Sequence, residues 1–539
     1  MEEETGGSRE VKESPFQDRS VIALMVVILI LGAFLRLYHL DSKSLWYDEI
    51  VTAVISDKDN DLATVLGYAL RRIQNVELGQ ISLKAPARPP LYFVIAHLFL
   101  QFGSSDFLMR LPAALLGILG IAAIYLVGTI LFGKREGVLS AFLLSISAFH
   151  IRYSQDARYY SLFALLSLIS LYFFYRGVRS DNWKWWAGFA ASTLLNLYAH
   201  HFALFILLAQ GIFVGFLWIK ALLFGEEPNS GDSRSVHLRL IDSLRRVPIV
   251  PFSLSALAVL SLYSPMIPQV LKYTPVAEAE GPPKIGLTLP KLVTLFSLFG
   301  AGSGIPLYIF VGTFLWGAIT SLRKHREVLL LGLLWIAIPI GFFLLFPMRH
   351  SFRPRYLIFV LPLYLTLIAR GITSIGCLLV QAIRSMTRFE PNLLALSLSI
   401  AIVFGAVSVA PMRAYYAEGR PSLREIAAYL GREALSTDAL FIDWLWIKRI
   451  LLHYNPELEM EWQLGRSKAK AEEICSEGRR AWFIGGTKDI RALASELEDS
   501  SQCSHIAETV FKGNESEERM IRWIEPVTHW PIYLLCVAP

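Results

Sequence analysis

The sequence predicts a polytopic α-helical membrane protein with a small α/β domain at its C-terminal end. Three observations lead there. The chain of 539 residues is 54% hydrophobic with a mean hydropathy of +0.46, well above soluble globular domains. About eleven apolar stretches approach the roughly 20 residues that a helix needs to cross a bilayer. Basic residues recur in every second loop between them, the pattern of cytoplasmic loops. The net charge of +6 belongs to that loop pattern and does not suggest a nucleic-acid surface.

Residues 1–19 are polar and acidic, with neither a basic leader nor a small-residue cleavage site. They read as a cytoplasmic N-terminus, followed by a retained span. The spans expected are 20–38, 110–132, 137–153, 159–177, 184–199, 202–222, 249–268, 304–321, 328–347, 355–379 and 393–411. A cytoplasmic start places Lys134-Arg135, then Arg176, Arg179 and Lys184, on the inner side. Arg234, Arg239, Arg245 and Arg246 follow, then Arg323-Lys324-His325-Arg326, and last Arg384 and Arg388. All five groups fall where the positive-inside rule requires. Trp183, Trp185 and Trp186 read as an inner aromatic belt. One outer loop breaks the rule: Met348 to Tyr356 carries Arg349, His350, Arg353 and Arg355. Basic residues on that side call for a specific partner, and an anionic lipid headgroup is the natural one.

The first outer loop, 39–109, is long. Leu62, Val65, Leu66, Ala69, Leu70 and Ile73 recur on one helical face, which predicts an amphipathic helix on the membrane. Pro89-Pro90 opens an apolar run, Leu91 to Phe102, too short to span; it reads as a second juxtamembrane helix. Leu292, Val293, Leu295, Phe296 and Phe299 suggest another in the loop 269–303, and Gly300 to Gly304 a flexible loop. Residues 20–411 thus form a transmembrane domain and 412–539 an external α/β domain. Within the latter, Ser422 to Leu435 patterns as a helix and Ala439 to Trp446 as a buried strand. Ala481 to Gly486 reads as a strand entering a turn, and Asp489 to Leu497 as a helix. Cys377 reads as packing. Cys475, Cys503 and Cys536 lie in the external part, where one disulfide is permitted; Cys475 with Cys503 is one pairing. Asn514-Glu515-Ser516 is a glycosylation sequon compatible with that side.

The candidate chemistry gathers on the outer side. Leu45-Trp46-Tyr47-Asp48-Glu49 sets two carboxylates beside a membrane surface, costly unless they have work to do. Adjacent residues rarely point the same way, so one carboxylate fits a general base and the other its support. Arg152 to Tyr160 carries Asp156 and Arg158. These two either pair with each other, or Asp156 faces the cavity of Asp48 while Arg158 holds a phosphate oxygen. His200-His201 fits a structural role or a ligand contact, and two adjacent histidines alone make no metal site. Arg353-Pro354-Arg355-Tyr356 fits interfacial snorkelling or a clamp on a lipid phosphate. Arg88, ahead of Pro89-Pro90-Leu91-Tyr92, is a further phosphate candidate.

In this order these motifs resemble the GT-C superfamily of membrane glycosyltransferases. The resemblance is to the dolichyl-phosphate-mannose–protein mannosyltransferase-like group, which includes protein O-mannosyltransferases and aminoarabinose transferases acting on lipid A. It rests on Leu45-Trp-Tyr-Asp-Glu49, Arg88-Pro-Pro-Leu-Tyr92, Arg110-Leu-Pro112, Tyr153 to Tyr159 and Arg355-Tyr356, and covers roughly 20–410. It implies a GT-C-like bundle with juxtamembrane helices in the first outer loop. It also implies inverting transfer from a polyprenyl-phosphate sugar, dolichyl or undecaprenyl, to a protein, lipid or glycan acceptor. By resemblance, Asp48 would be the base and Glu49 its support, with Arg355 and Arg158 on the donor phosphate. Arg353 and Arg88 would assist, and Asp156, Tyr92, His200 and His201 would line the cavity. No cofactor is certain; a divalent metal on Asp156 with His200 or His201 is open, since phosphate-monoester donors do not demand one. The Trp-Trp-Asp signature of oligosaccharyltransferases is absent, because Trp185-Trp186 is followed by Ala187. That weighs against a lipid diphosphate donor and peptide-sequon recognition. The membrane is a plasma membrane or an endoplasmic reticulum. The rival class is a transporter or flippase of a lipid-linked saccharide. It would favour ionisable residues near mid-membrane and paired halves, whereas these charges cluster at one surface.

Overall fold

The computed structural model describes residues 15–70, 75–78, 81–84, 89–224, 247–268, 287–346, 352–387, 389–417, 423–442, 445–465, 467–486, 505–511 and 532–538. The first span is α1 (Pro15–Leu37). The loop after it folds into α2 (Tyr47–Ile55), α3 (Leu62–Ala69), a hairpin of β1 (Asn75–Leu78) and β2 (Ile81–Lys84), and α4 (Leu91–Leu100). Two helices of this loop were expected. The hairpin was not, and α3 is shorter than its apolar face suggested. Asp61 caps α3, its carboxylate accepting the Thr64 N–H at 2.7 Å. Arg88 lies outside the described residues, as do Arg234, Arg239, Arg245, Arg246, Arg349, His350 and Arg388.

The bundle continues with α5 (Asp106–Leu131), α6 (Lys134–Ser145), α7 (Ala148–Ser154), α8 (Tyr160–Val178), α9 (Trp183–Ala199) and α10 (Ala203–Phe224). Then come α11 (Ile249–Tyr263), α12 (Leu289–Phe299), α13 (Ile305–Lys324) and α14 (Arg326–Leu345). A 3-10 turn, Pro354–Val360, leads into α15 (Leu361–Met386), and α16 (Leu393–Ala417) ends the bundle. Among the described residues, nine helical stretches are long and apolar enough to cross a membrane. The two other expected spans differ in build. The expected span 137–153 is broken at Ile146-Ser147 into α6 and α7, and Ser147 recaps the chain by accepting the His150 N–H at 3.3 Å. The expected span 184–199 is α9, a helix of 17 residues packed along α8.

Close crossings depend on glycine. A Cβ at Gly317 would lie 2.0 Å from the Leu367 carbonyl oxygen, and one at Gly371 would lie 2.3 Å from that of Thr313. α13 and α15 therefore meet backbone to backbone, as small residues allow in membranes. Basic side chains of the bundle meet acidic partners. Arg370 pairs with Glu136 at 3.0 Å, Lys220 with Glu327 at 2.9 Å and Arg179 with Glu327 at 3.5 Å.

The C-terminal region holds α17 (Leu423–Glu433), β3 (Ala439–Ile442), α18 (Leu445–Tyr454), β4 (Glu461–Leu464) and α19 (Lys468–Ser476). It closes with β5 (Ala481–Gly486), β6 (His505–Phe511) and β7 (Ile532–Ala538). The sheet order is β4-β3-β5-β7-β6; β3 is parallel to β4 and β5, and β7 is antiparallel to β5 and β6. The strand expected over Ala439 to Trp446 stops at Ile442, and helix resumes at Leu445. Four buried apolar residues cannot by themselves separate a strand from the helix after it. The expected helix Asp489 to Leu497 and the sequon at Asn514 lie outside the described residues. Cys475 is disulfide-bonded; Cys503 lies outside the described residues.

Candidate active site

The first turn of α2 carries both carboxylates of the 45–49 motif. A helix N-terminus favours negative charge there. The two side chains then diverge. Glu49 is fully buried and meets Arg110 through a two-point bond, Nε to Oε1 at 2.7 Å and NH2 to Oε2 at 2.8 Å. Its Oε1 also accepts the Ala157 N–H at 2.9 Å, and Oε2 the Trp46 N–H at 3.3 Å. Arg110 spends its remaining donors on the carbonyls of Leu40, Lys43 and Ser44, at 3.0, 2.8 and 3.3 Å. This pair ties α5, the 40–46 loop and the 155–158 turn together.

Asp48 points elsewhere. Its carboxylate faces the Arg355 guanidinium at 3.6 Å, beyond hydrogen-bond length. Arg355 in turn lies over the Trp46 ring at 5.1 Å and near the Tyr160 ring at 5.9 Å. Arg353 is half-buried at the start of the same 3-10 turn.

Arg158 is buried against α2, NH1 donating to the Asp48 carbonyl and the Thr52 hydroxyl, both at 3.2 Å. Its Nε and NH2 are buried and make no hydrogen bond among the described residues. The Tyr159 and Phe93 rings flank it at 5.0 and 6.0 Å. The Tyr92 hydroxyl is likewise buried without a hydrogen-bond partner among the described residues. Burial, then the charges of Glu49 and Asp156, push its phenol well above the usual range. Asp156 is buried in the same turn. Six expected site residues, Asp48, Glu49, Tyr92, Asp156, Arg158 and Arg355, therefore converge.

The histidines are at the margin. His200 stacks on Phe163 at 4.9 Å and leans on Tyr159 at 4.8 Å, while its Nδ1 accepts the Phe202 N–H at 3.1 Å. His201 bonds the Tyr263 hydroxyl, and burial lowers its pKa to about 4. Among the described residues, no three or more His, Cys, Asp and Glu side chains gather as a metal set. Arg110, Trp46 and Tyr160 belong to the constellation but were not singled out as site residues. Arg110 stands at the start of an apolar span, where a lone arginine reads as interfacial snorkelling.

A family model described as dolichyl-phosphate-mannose-protein mannosyltransferase matches residues 87–223. No curated protein sequence matches the chain. Among solved structures, ArnT from Cupriavidus metallidurans is similar in its apo state, with 14% identity and a TM-score of 0.56 over 96% of this chain and 98% of that one. ArnT bound to undecaprenyl phosphate matches with 14% identity and a TM-score of 0.54 over 97% and 98%. The Archaeoglobus fulgidus oligosaccharyltransferase in its apo form matches with 12% identity and a TM-score of 0.53, over 89% of this chain and 72% of that one. The chain thus has a GT-C fold, and family match and fold together point to a glycosyltransferase.

Proposed function

We propose that this protein is an inverting glycosyltransferase that moves a sugar from a polyprenyl-phosphate donor to an acceptor at the outer membrane face. The observation that carries this reading is the division of labour between neighbouring carboxylates. Glu49 is bound on both oxygens by Arg110 and backbone amides. Asp48 turns away from that network toward the Arg355 guanidinium, 3.6 Å from its carboxylate. Asp48 is thus the base, and Glu49 fixes the helix turn that presents it.

In the reaction, Asp48 takes the proton of the acceptor's nucleophilic group as that atom forms a bond to the anomeric carbon. The bond from that carbon to the phosphate oxygen breaks on the opposite face, and its electron pair leaves with the polyprenyl phosphate. Charge grows on the leaving phosphate, and Arg355 meets it with Arg158 and Arg353 beside it. The two buried donors of Arg158 and the Tyr92 hydroxyl suit phosphate or sugar oxygens. A sugar ring must stand between base and phosphate, so the 3.6 Å approach of Arg355 to Asp48 is a resting contact that the donor opens. A phosphate leaves without a protonating acid more readily than an alkoxide, so one base with cations suffices. The undecaprenyl phosphate bound by ArnT and the dolichol-phosphate bound by the archaeal oligosaccharyltransferase support a lipid-phosphate donor. The acceptor is a protein, a lipid or a glycan.

The test is turnover of synthetic polyprenyl-phosphate sugars by purified protein, following release of polyprenyl phosphate with candidate acceptors, with and without chelator. Asp48→Asn should bind donor and fold but lose transfer. Full activity in Asp48→Asn would overturn the assignment.

A further inference from the structure

We propose that Tyr454, Arg424 and Asp106 form a clasp that positions Asp48, making the C-terminal region a working part of the site. The inference rests on the proposed transfer reaction. The 40–46 loop, which delivers the chain to Asp48, is held from two sides. Arg110 grips the carbonyls of Leu40, Lys43 and Ser44. From the other side, the Leu45 N–H donates to the Tyr454 hydroxyl at 2.8 Å, and that hydroxyl donates to Asp106 Oδ2 at 2.8 Å. Arg424 donates to the same Asp106 oxygen and to the Asp41 carbonyl at 3.1 Å, and its backbone N–H donates to the Ser44 hydroxyl at 3.4 Å.

Both grips use one anchor. Asp106 and Arg110 are four residues apart on α5, hence on one face of its first turns. Arg110 serves Glu49, and Asp106 serves Arg424 and Tyr454. The Arg424 guanidinium also lies 5.3 Å from the Tyr454 ring. An apolar seal backs the polar contacts, with Leu45, Ile50 and Ala53 in one buried cluster with Ile426, Ile450 and Leu451. Burial and the Asp106 charge keep the Tyr454 phenol protonated well beyond its usual range, so its O–H remains a donor.

Leu45 is three residues from Asp48. A base works only in a narrow geometry, and a displacement of about 1 Å costs about 10²-fold in rate. The C-terminal region therefore acts on chemistry through a loop, without touching the reacting atoms, and Tyr454 and Arg424 are positioning residues.

Tyr454→Phe keeps the ring and removes both hydrogen bonds. Two readouts separate the clasp from the reaction. Hydrogen exchange of the peptide over 41–50 should quicken in Tyr454→Phe, with the bundle's helices unchanged. Transfer should lose about tenfold in kcat with donor KM within about twofold, the split expected of a misplaced base. Arg424→Gln breaks the other half of the clasp and should move both readouts the same way. It carries the test if Tyr454→Phe does not fold. Paired with Asp106→Ala, Tyr454→Phe should be non-additive, since each removes the Tyr454–Asp106 hydrogen bond that the two share. Unchanged exchange together with unchanged kcat overturns the clasp. Wild-type protein inactive on every polyprenyl-phosphate sugar would overturn the transfer reading, while the exchange arm still decides the clasp.

Discussion

Replacing Glu49 with Gln separates a supporting carboxylate from a reacting one. Glutamine keeps the shape but has one acceptor oxygen where four donors now converge, from Arg110 Nε and NH2 and from the amides of Ala157 and Trp46. Its amide group also presents donors to a guanidinium that can only donate. Removing one partner of a buried ion pair costs about 3–5 kcal/mol, because the other charge stays buried. Three backbone carbonyls still face Arg110, which places the loss near the lower bound, about 3 kcal/mol. Asp48→Asn should cost less than Glu49→Gln, since asparagine keeps the shape and Arg355 stands off at 3.6 Å with its aromatic contacts intact.

Reversible unfolding in mixed detergent micelles, followed by tryptophan fluorescence, measures both stability losses, and release of polyprenyl phosphate measures transfer. Glu49→Gln should be strongly destabilised. Asp48→Asn should be destabilised less, yet lose about 10²–10⁴-fold in transfer, the worth of a general base. Arg110→Met combined with Glu49→Gln should be less destabilised than the sum of the two, because no lone charge remains. The reasoning fails if Glu49→Gln keeps its stability within about 1 kcal/mol while transfer is abolished. Glu49 would then be the reacting group, and the two-point bond to Arg110 its means of activation.

Three other perturbations probe separate parts of the molecule. Arg355→Ala should lower kcat/KM for the donor by about 10²-fold or more, and Arg355→Lys by less, since lysine restores charge but not the guanidinium fork; equal losses would show that geometry alone matters. Gly371→Ala should destabilise by about 1–3 kcal/mol, because its Cβ would meet the Thr313 carbonyl oxygen at 2.3 Å; an unchanged unfolding midpoint would refute the close crossing. His201 has a folded pKa of about 4 against an ordinary 6.5, so unfolded chains bind its proton first as pH falls. Its contribution is complete above pH 6.5 and is lost between there and about 4, so the wild-type thermal midpoint should fall more over that window than that of His201→Gln.

The spans were legible because length and hydropathy are local properties, and the Asp48-Glu49 pair because charge beside a membrane is costly. Their partners were not legible. Glu49 is locked in place because Arg110, far along the chain, folds onto it, and no local pattern states that pairing. The break between α6 and α7 was missed for a related reason. Ile146-Ser147 interrupts no apolar run, so hydropathy reads one span where the backbone makes two helices. The 75–84 hairpin and strands β4, β6 and β7 were missed because short strands with mixed faces carry little periodic signal. In the C-terminal region, apolar residues such as Ile426 and Ile450 face the 40–46 loop as well as their own sheet. Such an interface cannot be told from an ordinary core in sequence.

The break between α6 and α7 shows why a buried charge in α1 is tolerated. Ending α6 at Ser145 leaves carbonyls that lipid cannot satisfy. Arg36 takes them, its NH1 donating to the Ser145 carbonyl at 3.0 Å and its NH2 to that of Leu144 at 3.0 Å. The NH2 also donates to His150 Nδ1 at 2.9 Å, so α7 is fixed by the same guanidinium. Room for this comes from Gly117, where a Cβ would sit 2.2 Å from the Ser154 hydroxyl and 3.3 Å from Arg36 Cδ. One residue beyond Ser154, Gln155 donates to the carbonyls of Arg36 and Tyr38 at 3.0 and 2.8 Å and accepts from the Tyr415 hydroxyl at 2.7 Å. The turn bearing Asp156 and Arg158 is thus pinned to α1 and α16 before it meets α2. A buried arginine in the last turn of α1 is what lets a helix stop early and hand its chain to the site.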